Sequence, residues 1–136
     1  MRRRVCLILL ASPLVWAAES ARTGVRGKLG RDPGGRPALG AAGGKWTRLD
    51  GDDPTAAVLN DERIAAVDLE TFGRFAQDGA FTIDPIHTKA MFVHKDGRRL
   101  FITYWCDVCA IRTYSPGKCW CCQEETELDL RERYDQ

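Results

Sequence analysis

The second half of the chain alternates strand-forming residues with turn signals, a pattern typical of antiparallel β structure. Residues 89–105, KAMFVHKDGRRLFITYW, place Asp96-Gly97 between two runs rich in aromatic and β-branched residues. An Asp-Gly pair in that setting predicts a two-residue hairpin turn. The turn sets Val93 opposite Leu100 and makes one face of the hairpin largely apolar.

Further short strands are predicted because runs of Val, Leu, Ile, Phe and Thr are bounded by glycine-rich or Asp-Gly turns. One short helix is predicted from Ala56 to Leu59. These elements predict a mainly β protein, a small antiparallel barrel or sandwich, and specifically a five-stranded OB-like barrel. The further predicted strands are residues 25–29, 37–40, 46–49, 65–75, 80–84 and 126–130.

Five of the six cysteines lie in one stretch, YWCDVCAIRTYSPGKCWCCQEET, residues 104–126. Cys106 and Cys109 form one C-x-x-C pair, and Cys119 and Cys122 form a second. Two residues between thiolates allow one tight turn to place both sulfurs on a single ion, and a second pair completes a tetrahedron. A Ser-Pro-Gly-Lys turn between the pairs favours a hairpin that brings them face to face. The spacing therefore predicts a zinc-ribbon-like hairpin with a structural zinc site.

Two more residues are candidate ligands. Cys121 lies inside the second pair, and the hairpin register, when continued, sets His87 opposite Cys106. In that position His87 would replace one cysteine or hydrogen-bond to a coordinated sulfur. The alternative is a histidine that follows Pro85 and only caps a strand, since proline bends a strand out of register.

Other interpretations of the cysteines stay open. In an oxidising compartment disulfides are favoured, which would make the chain a disulfide-stapled interaction module. Trp105 to Cys109 resembles the W-C-x-x-C site of thioredoxin-like redox proteins, although that site opens a helix. The same thiolates accept iron or copper, as expected of a soft-metal carrier. Ribbon knuckles commonly have glycine after their second cysteine, and this chain has Ala110 and Gln123 there.

The ends of the chain differ in character from its middle. Residues 1–18 combine three arginines, an apolar run of about a dozen residues and two alanines, the layout of a secretory signal that is too short to span a bilayer. We expect an exported protein, periplasmic or extracellular, with no stable membrane span after cleavage. A Gly/Arg-rich flexible lead-in with short strands is predicted for residues 19–44, a β-domain for residues 45–130 and a charged tail for residues 131–136.

Charge and motifs exclude several functional classes. Without Arg2, Arg3 and Arg4, the 20 basic residues become 17 against 19 acidic ones, so the mature chain is not basic. The sequence shows no row of exposed aromatic residues interleaved with basic ones, and nucleic acid is not an expected partner. It also lacks the G-x-S-x-G, H-E-x-x-H and phosphate-loop motifs. We expect a protein that is not an enzyme.

The cysteine stretch carries a resemblance to a known group of sequences. ITYWCDVCAIRTYSPGKCWCCQEET, together with FTIDPIHTKAMFVHKDG upstream, resembles an uncharacterised family of small exported bacterial proteins with a C-terminal YWC-x2-C and PGKCWCCQEE motif. The likeness extends over about residues 44–130. It implies export and a cysteine site, and it implies no reaction.

Overall fold

The computed structural model describes residues 22–41 and 43–133 and shows a mainly β protein. Helix α1, Asp53–Leu59, begins after Asp52, whose carboxylate accepts the backbone N–H of Thr55 at 2.9 Å. Single 3-10 turns occupy Glu62–Ile64 and Ile86–Thr88. The strands in the described residues are β1 Thr23–Arg31, β2 Pro37–Gly40, β3 Trp46–Asp50, β4 Asp68–Phe75, β5 Phe81–Ile83, β6 Met91–Lys95, β7 Arg98–Cys106, β8 Ile111–Thr113 and β9 Glu127–Arg131.

Five strands close into a barrel in the order β1-β2-β3-β5-β4, with β4 pairing back to β1. All of these pairings are antiparallel except β3 with β5, where Leu49 lies beside Phe81. Helix α1 connects β3 to β4 and buries Val58 and Leu59 in the barrel core. The predicted mainly β fold with an OB-like barrel is confirmed. None of the helices in the described ranges is long and apolar enough to cross a membrane.

The lead-in predicted for residues 19–44 has strands where two short ones were expected, but they belong to the barrel rather than to a flexible segment. Its described part forms β1 and β2, two of the five barrel strands, and Leu29 and Leu39 are buried in the core. The glycines here permit close packing: a Cβ at Gly27 would lie 2.6 Å from the carbonyl oxygen of Gly40. The barrel therefore begins within the segment that glycine content marked as flexible. The predicted signal, residues 1–18, and residues 134–136 of the tail lie outside the described residues.

Strands β6 to β9 extend the barrel sheet toward the cysteines. β6 pairs with β4, and β7 pairs with β6 through a turn at Asp96-Gly97 in which both residues have positive φ, 52° and 75°. Val93 lies opposite Leu100, as the sequence predicts. Strands β8 and β9 both pair with β7, so β7 is the common support of the C-terminal hairpins.

The predicted register does not continue to His87. Pairing between β6 and β7 ends at Phe92 opposite Phe101. Upstream of it Lys89 has a left-handed φ of 56° and His87 lies exposed in the 3-10 turn after Pro85. The prediction that His87 faces Cys106 is therefore wrong, because the chain leaves the strand before reaching it.

Three phenylalanines, Phe72, Phe92 and Phe101, pack together on the sheet. Phe92 packs edge-on against Phe72 and at a tilt against Phe101, with ring centroids 5.9 and 5.1 Å away. Phe92 is only 7% exposed, and the Arg99 guanidinium covers its ring at 3.7 Å. Arg99 is also paired with Glu70 at 3.1 Å. The guanidinium therefore covers the Phe92 ring while a carboxylate balances its charge.

Candidate metal centre

The first cysteine pair forms a tight knuckle where β7 ends. Cys106 is the last residue of β7, and its sulfur accepts the backbone N–H of Cys109 at 3.4 Å. Ala110 then takes a left-handed φ of 53°, and β8 begins at the next residue. The turn therefore forms with alanine at the position where ribbon knuckles commonly have glycine.

The second pair repeats this geometry at the tip of a short hairpin. A bridge between Lys118 and Glu125 closes the hairpin, and the carbonyl of Cys119 accepts the backbone N–H of Gln123 at 2.8 Å. Gln123 has a φ of 64°, matching Ala110 in the first knuckle. Each knuckle therefore ends in a left-handed residue directly after its second cysteine.

The structure brings together the sulfurs of Cys106, Cys109, Cys119 and Cys122. One sulfur from each of the four lies within 4.8 Å of every other, and the sulfurs of Cys106 and Cys122 are 3.4 Å apart. In a tetrahedral zinc site with bonds of about 2.3 Å, neighbouring sulfurs lie about 3.8 Å apart. The observed spacing brackets that value, so the donor set fits a four-coordinate ion and can bind one.

Burial and hydrogen bonding distinguish the four thiols. Cys106 and Cys119 are buried, at 2% and 1% exposed, whereas Cys109 and Cys122 are half-buried. Backbone N–H groups of Cys122 and Cys121 point at the Cys119 sulfur and lower its pKa to about 7. These N–H groups favour the thiolate, which is the form that binds metal.

Shared hydrogen bonds among the thiols act in the opposite direction at the first knuckle. The thiol of Cys121 raises the pKa of Cys109, with burial adding to the effect. The backbone N–H of Cys109 lowers the pKa of Cys106, but burial and the thiols of Cys122 and Cys119 outweigh it, and the net shift is upward. Ionising several neighbouring thiols gathers negative charge in one place, and a cation between the sulfurs would offset that repulsion.

Acidic side chains surround the mouth of the cluster. Asp107, Glu124, Glu125 and Glu127 line one groove together with the sulfur-bearing Cys106 and Cys122. Carboxylates grouped on one surface raise the local concentration of cations. The surroundings therefore favour the approach of a positive ion and disfavour that of an anion.

A polar network that the sequence analysis missed joins the cysteine hairpins to the barrel. Tyr104, two residues before Cys106, is fully buried and donates its hydroxyl to Asp61 at 2.8 Å. Arg63 also binds Asp61 at 3.0 Å and donates to the carbonyl of Thr126 at 2.8 Å, just beyond the second knuckle. Asp61 and Arg63 therefore hold both arms of the cysteine region.

The pKa shifts of Asp61 and Tyr104 follow from their burial and from the hydrogen bonds that they make. Burial raises the pKa of Asp61, but hydrogen bonds from Arg63 and Tyr104 outweigh it and the net shift is downward. Burial and the bond to Asp61 raise the pKa of the Tyr104 hydroxyl. Asp61 is thus held ionised and Tyr104 neutral. In the sequence, Asp61 and Arg63 are marked only by their place just after α1. That place does not indicate a partner such as Tyr104, which lies far along the chain.

The remaining candidates lie outside the four-sulfur cluster. Cys121 is exposed at the rim, and His87 is exposed in a different turn. The five cysteines that the structure describes are all free thiols. The Cys106–Cys109 turn is followed by β8 rather than by a helix, so it lacks the helix that thioredoxin-like sites open.

Comparisons with known proteins identify no relative of this chain, so its function is argued from the geometry of the cysteine site. Searches with the chain against protein-family models, curated proteins and solved structures gave no match. The resemblance of the cysteine stretch to an exported bacterial family accordingly stays a prediction.

Proposed function

We propose that this chain is an exported metal-binding protein in which a structural zinc ion pins the C-terminal hairpins. The ligands are Cys106, Cys109, Cys119 and Cys122. The observation that carries the proposal is the gathering of one sulfur from each of these four residues within 4.8 Å. Cysteines that belong to two knuckles meet there, which is the arrangement of a structural zinc site.

Zinc and iron fit this donor set better than copper does. Four thiolates in a tetrahedral arrangement suit zinc or iron, whereas copper(II) prefers planar nitrogen and oxygen ligands and copper(I) commonly takes fewer thiolates. Because the protein supplies all four donors, no position is left for a reacting water, and the site has the closed character of a structural centre. This supports a role in holding the fold rather than in catalysis.

The composition of the hairpins supports the same role. Among residues 106–126 the buried ones are Cys106, Cys119 and Thr126, so the region has no hydrophobic core of its own. A structural zinc ion contributes on the order of 10–16 kcal/mol in small peptides, comparable with the roughly 5–15 kcal/mol that stabilises a whole domain. The ion would therefore take the place of a core.

Export makes the metal site useful in a second way. The predicted signal at residues 1–18 would deliver the chain to a compartment where exposed thiols form disulfides. Coordination by an ion protects thiolates from that chemistry, because each sulfur already holds a bond to the metal. In this proposal the protein is loaded before the thiols oxidise.

Elemental analysis of the purified mature chain tests the proposal, together with intact mass under denaturing, non-reducing conditions. We expect one equivalent of zinc and five free thiols, and alanine at each cysteine in turn then assigns the ligands. A chain without metal, and lighter by the four hydrogens of two disulfides, would refute the zinc site and establish the disulfide-stapled module.

A further inference from the structure

The tips of the two knuckles carry exposed apolar side chains. Val108 in the first knuckle is 73% exposed and Trp120 in the second is 74% exposed, the two largest fractions among the large apolar side chains of the described residues. Each adjoins a cysteine of the four-sulfur cluster, so both lie at the same end of the molecule. Apolar side chains grouped on a surface and rimmed by polar ones mark a site of contact with a partner.

The rim of these tips is negatively charged. The groove that Val108 lines contains four exposed carboxylates, those of Asp107, Glu124, Glu125 and Glu127, and no basic side chain. Within the part of the chain that the structure describes, none of the four carboxylates takes part in an ion pair. The groove and the two apolar tips, together called the knuckle surface, therefore fit a partner that is basic and presents an apolar side chain.

A surface of the opposite sign lies on the first three barrel strands. Lys28 of β1 and Trp46 of β3 lie on either side of Gly40, and Lys45 directly precedes Trp46. The Trp46 ring packs over Gly30 and Gly40 yet stays 45% exposed. Both lysines are exposed, and neither forms an ion pair with any described residue. Lys28, Lys45 and Trp46 are called the basic face.

The two surfaces match each other but lie on different parts of the sheet. Strands β2 and β3 pair with none of β7, β8 and β9, and no ion pair of the described residues joins the two surfaces. Each offers an exposed tryptophan, the residue type most enriched where binding energy is concentrated. Opposite charges around such an apolar contact steer the encounter and fix its register.

We propose that the knuckle surface of one copy docks on the basic face of a second copy, so that the chain associates head to tail. Because the two surfaces differ, the contact is heterologous, and each copy keeps one surface open to the next. The assembly is therefore a ring or an open row of copies rather than a symmetric dimer. None of the residues that make the contact is a ligand of the proposed ion.

Sedimentation of the mature chain over a range of concentrations tests the proposal. We expect a mass that rises with concentration, and an association that weakens at least about tenfold between 0.1 M and 1 M salt, as the Debye length falls from about 10 Å to about 3 Å. A chain that stays monomeric at about 1 mM in low salt would overturn the proposal. The metal content of the same sample decides the proposed function separately.

Two charge-reversed variants test the pairing of the surfaces. Lys28→Glu/Lys45→Glu reverses the basic face, and Glu124→Lys/Glu127→Lys reverses the charge of two groove carboxylates. We expect each variant alone to be monomeric and their equimolar mixture to associate again, since the unaltered knuckle surface of the first meets the unaltered basic face of the second. A mixture no more associated than either variant alone would overturn the proposal.

A matched control separates docking from the effect of net charge. Arg74→Glu/Lys95→Glu makes the same change in net charge at two exposed residues of β4 and β6, outside both surfaces. We expect this variant to associate within about threefold of the wild type, because interface specificity depends on where the charges lie. An equal loss in this control and in Lys28→Glu/Lys45→Glu would refute the head-to-tail contact.

Discussion

Replacing Tyr104 with phenylalanine tests whether the buried polar network holds the cysteine region to the barrel. The change keeps the fully buried ring and removes only the hydroxyl that donates to Asp61 at 2.8 Å. A hydrogen bond to a charged group contributes about 1.5–3 kcal/mol. Because Asp61 keeps its bonds to Arg63, the carboxylate is not left alone, and we expect a loss of about 2 kcal/mol.

The loss is measured by urea unfolding of the zinc-loaded chain, and a thermal scan should show a midpoint lower by about 8 °C. The matched control is the same change in an Asp61→Ala background, where the hydroxyl has already lost its acceptor. Phenylalanine should cost little there, since it removes an unpaired buried group. An equal cost in both backgrounds, or less than about 0.5 kcal/mol in the wild type, would show that Tyr104 acts through packing and not through Asp61.

Three further changes test separate parts of the structure. Gly73→Ala puts a Cβ against the backbone carbonyl of Thr82 at the barrel seam, and denaturant unfolding should show a loss of about 3 kcal/mol or more. Asp52→Asn keeps the cap of α1 but removes the titrating carboxyl group. Because folding lowers the pKa of Asp52, the stability contributed by its carboxylate is complete above the unfolded pKa of about 4 and is lost as the pH falls. The unfolding free energies of the wild type and the variant should therefore converge in acid. Glycine at Ala110 or at Gln123 relieves a left-handed φ that costs about 1–2 kcal/mol, and calorimetry should show Zn²⁺ binding about 5- to 30-fold tighter for each change; weaker binding would contradict the strained-turn account.

Local signals predicted the parts of this structure that are set by neighbouring residues. Asp96-Gly97 adopts the turn that its composition predicts, and the register beside it follows for several pairs. The pairing ends at Phe92 opposite Phe101, and upstream of it Lys89 is left-handed at the end of the 3-10 turn after Pro85. The prediction that His87 lies opposite Cys106 was wrong because strand pairing continues only as far as both strands do.

Tertiary contacts decided the parts that the sequence did not reveal. The glycines of residues 24–44 looked like flexibility, yet Gly30 and Gly40 leave space for the ring of Trp46, which would come within 2.9 and 3.1 Å of a Cβ at those positions. Asp61 and Arg63 become important only because the fold brings Tyr104 and Thr126 to them. Spacing alone predicted the four cysteines, whose sulfurs the structure brings within 4.8 Å of one another.

The two knuckles indicate why the metal and the fold depend on each other. Ala110 and Gln123 each hold a left-handed backbone that costs a residue with a side chain about 1–2 kcal/mol. Such conformations persist only where their surroundings impose them, and residues 106–126 have few buried contacts with which to do so. Coordination of four sulfurs supplies far more free energy than both turns cost. The cysteine hairpins should therefore lose their turns when the ion is removed, while the barrel, with its own core of leucine, isoleucine and phenylalanine side chains, should remain folded.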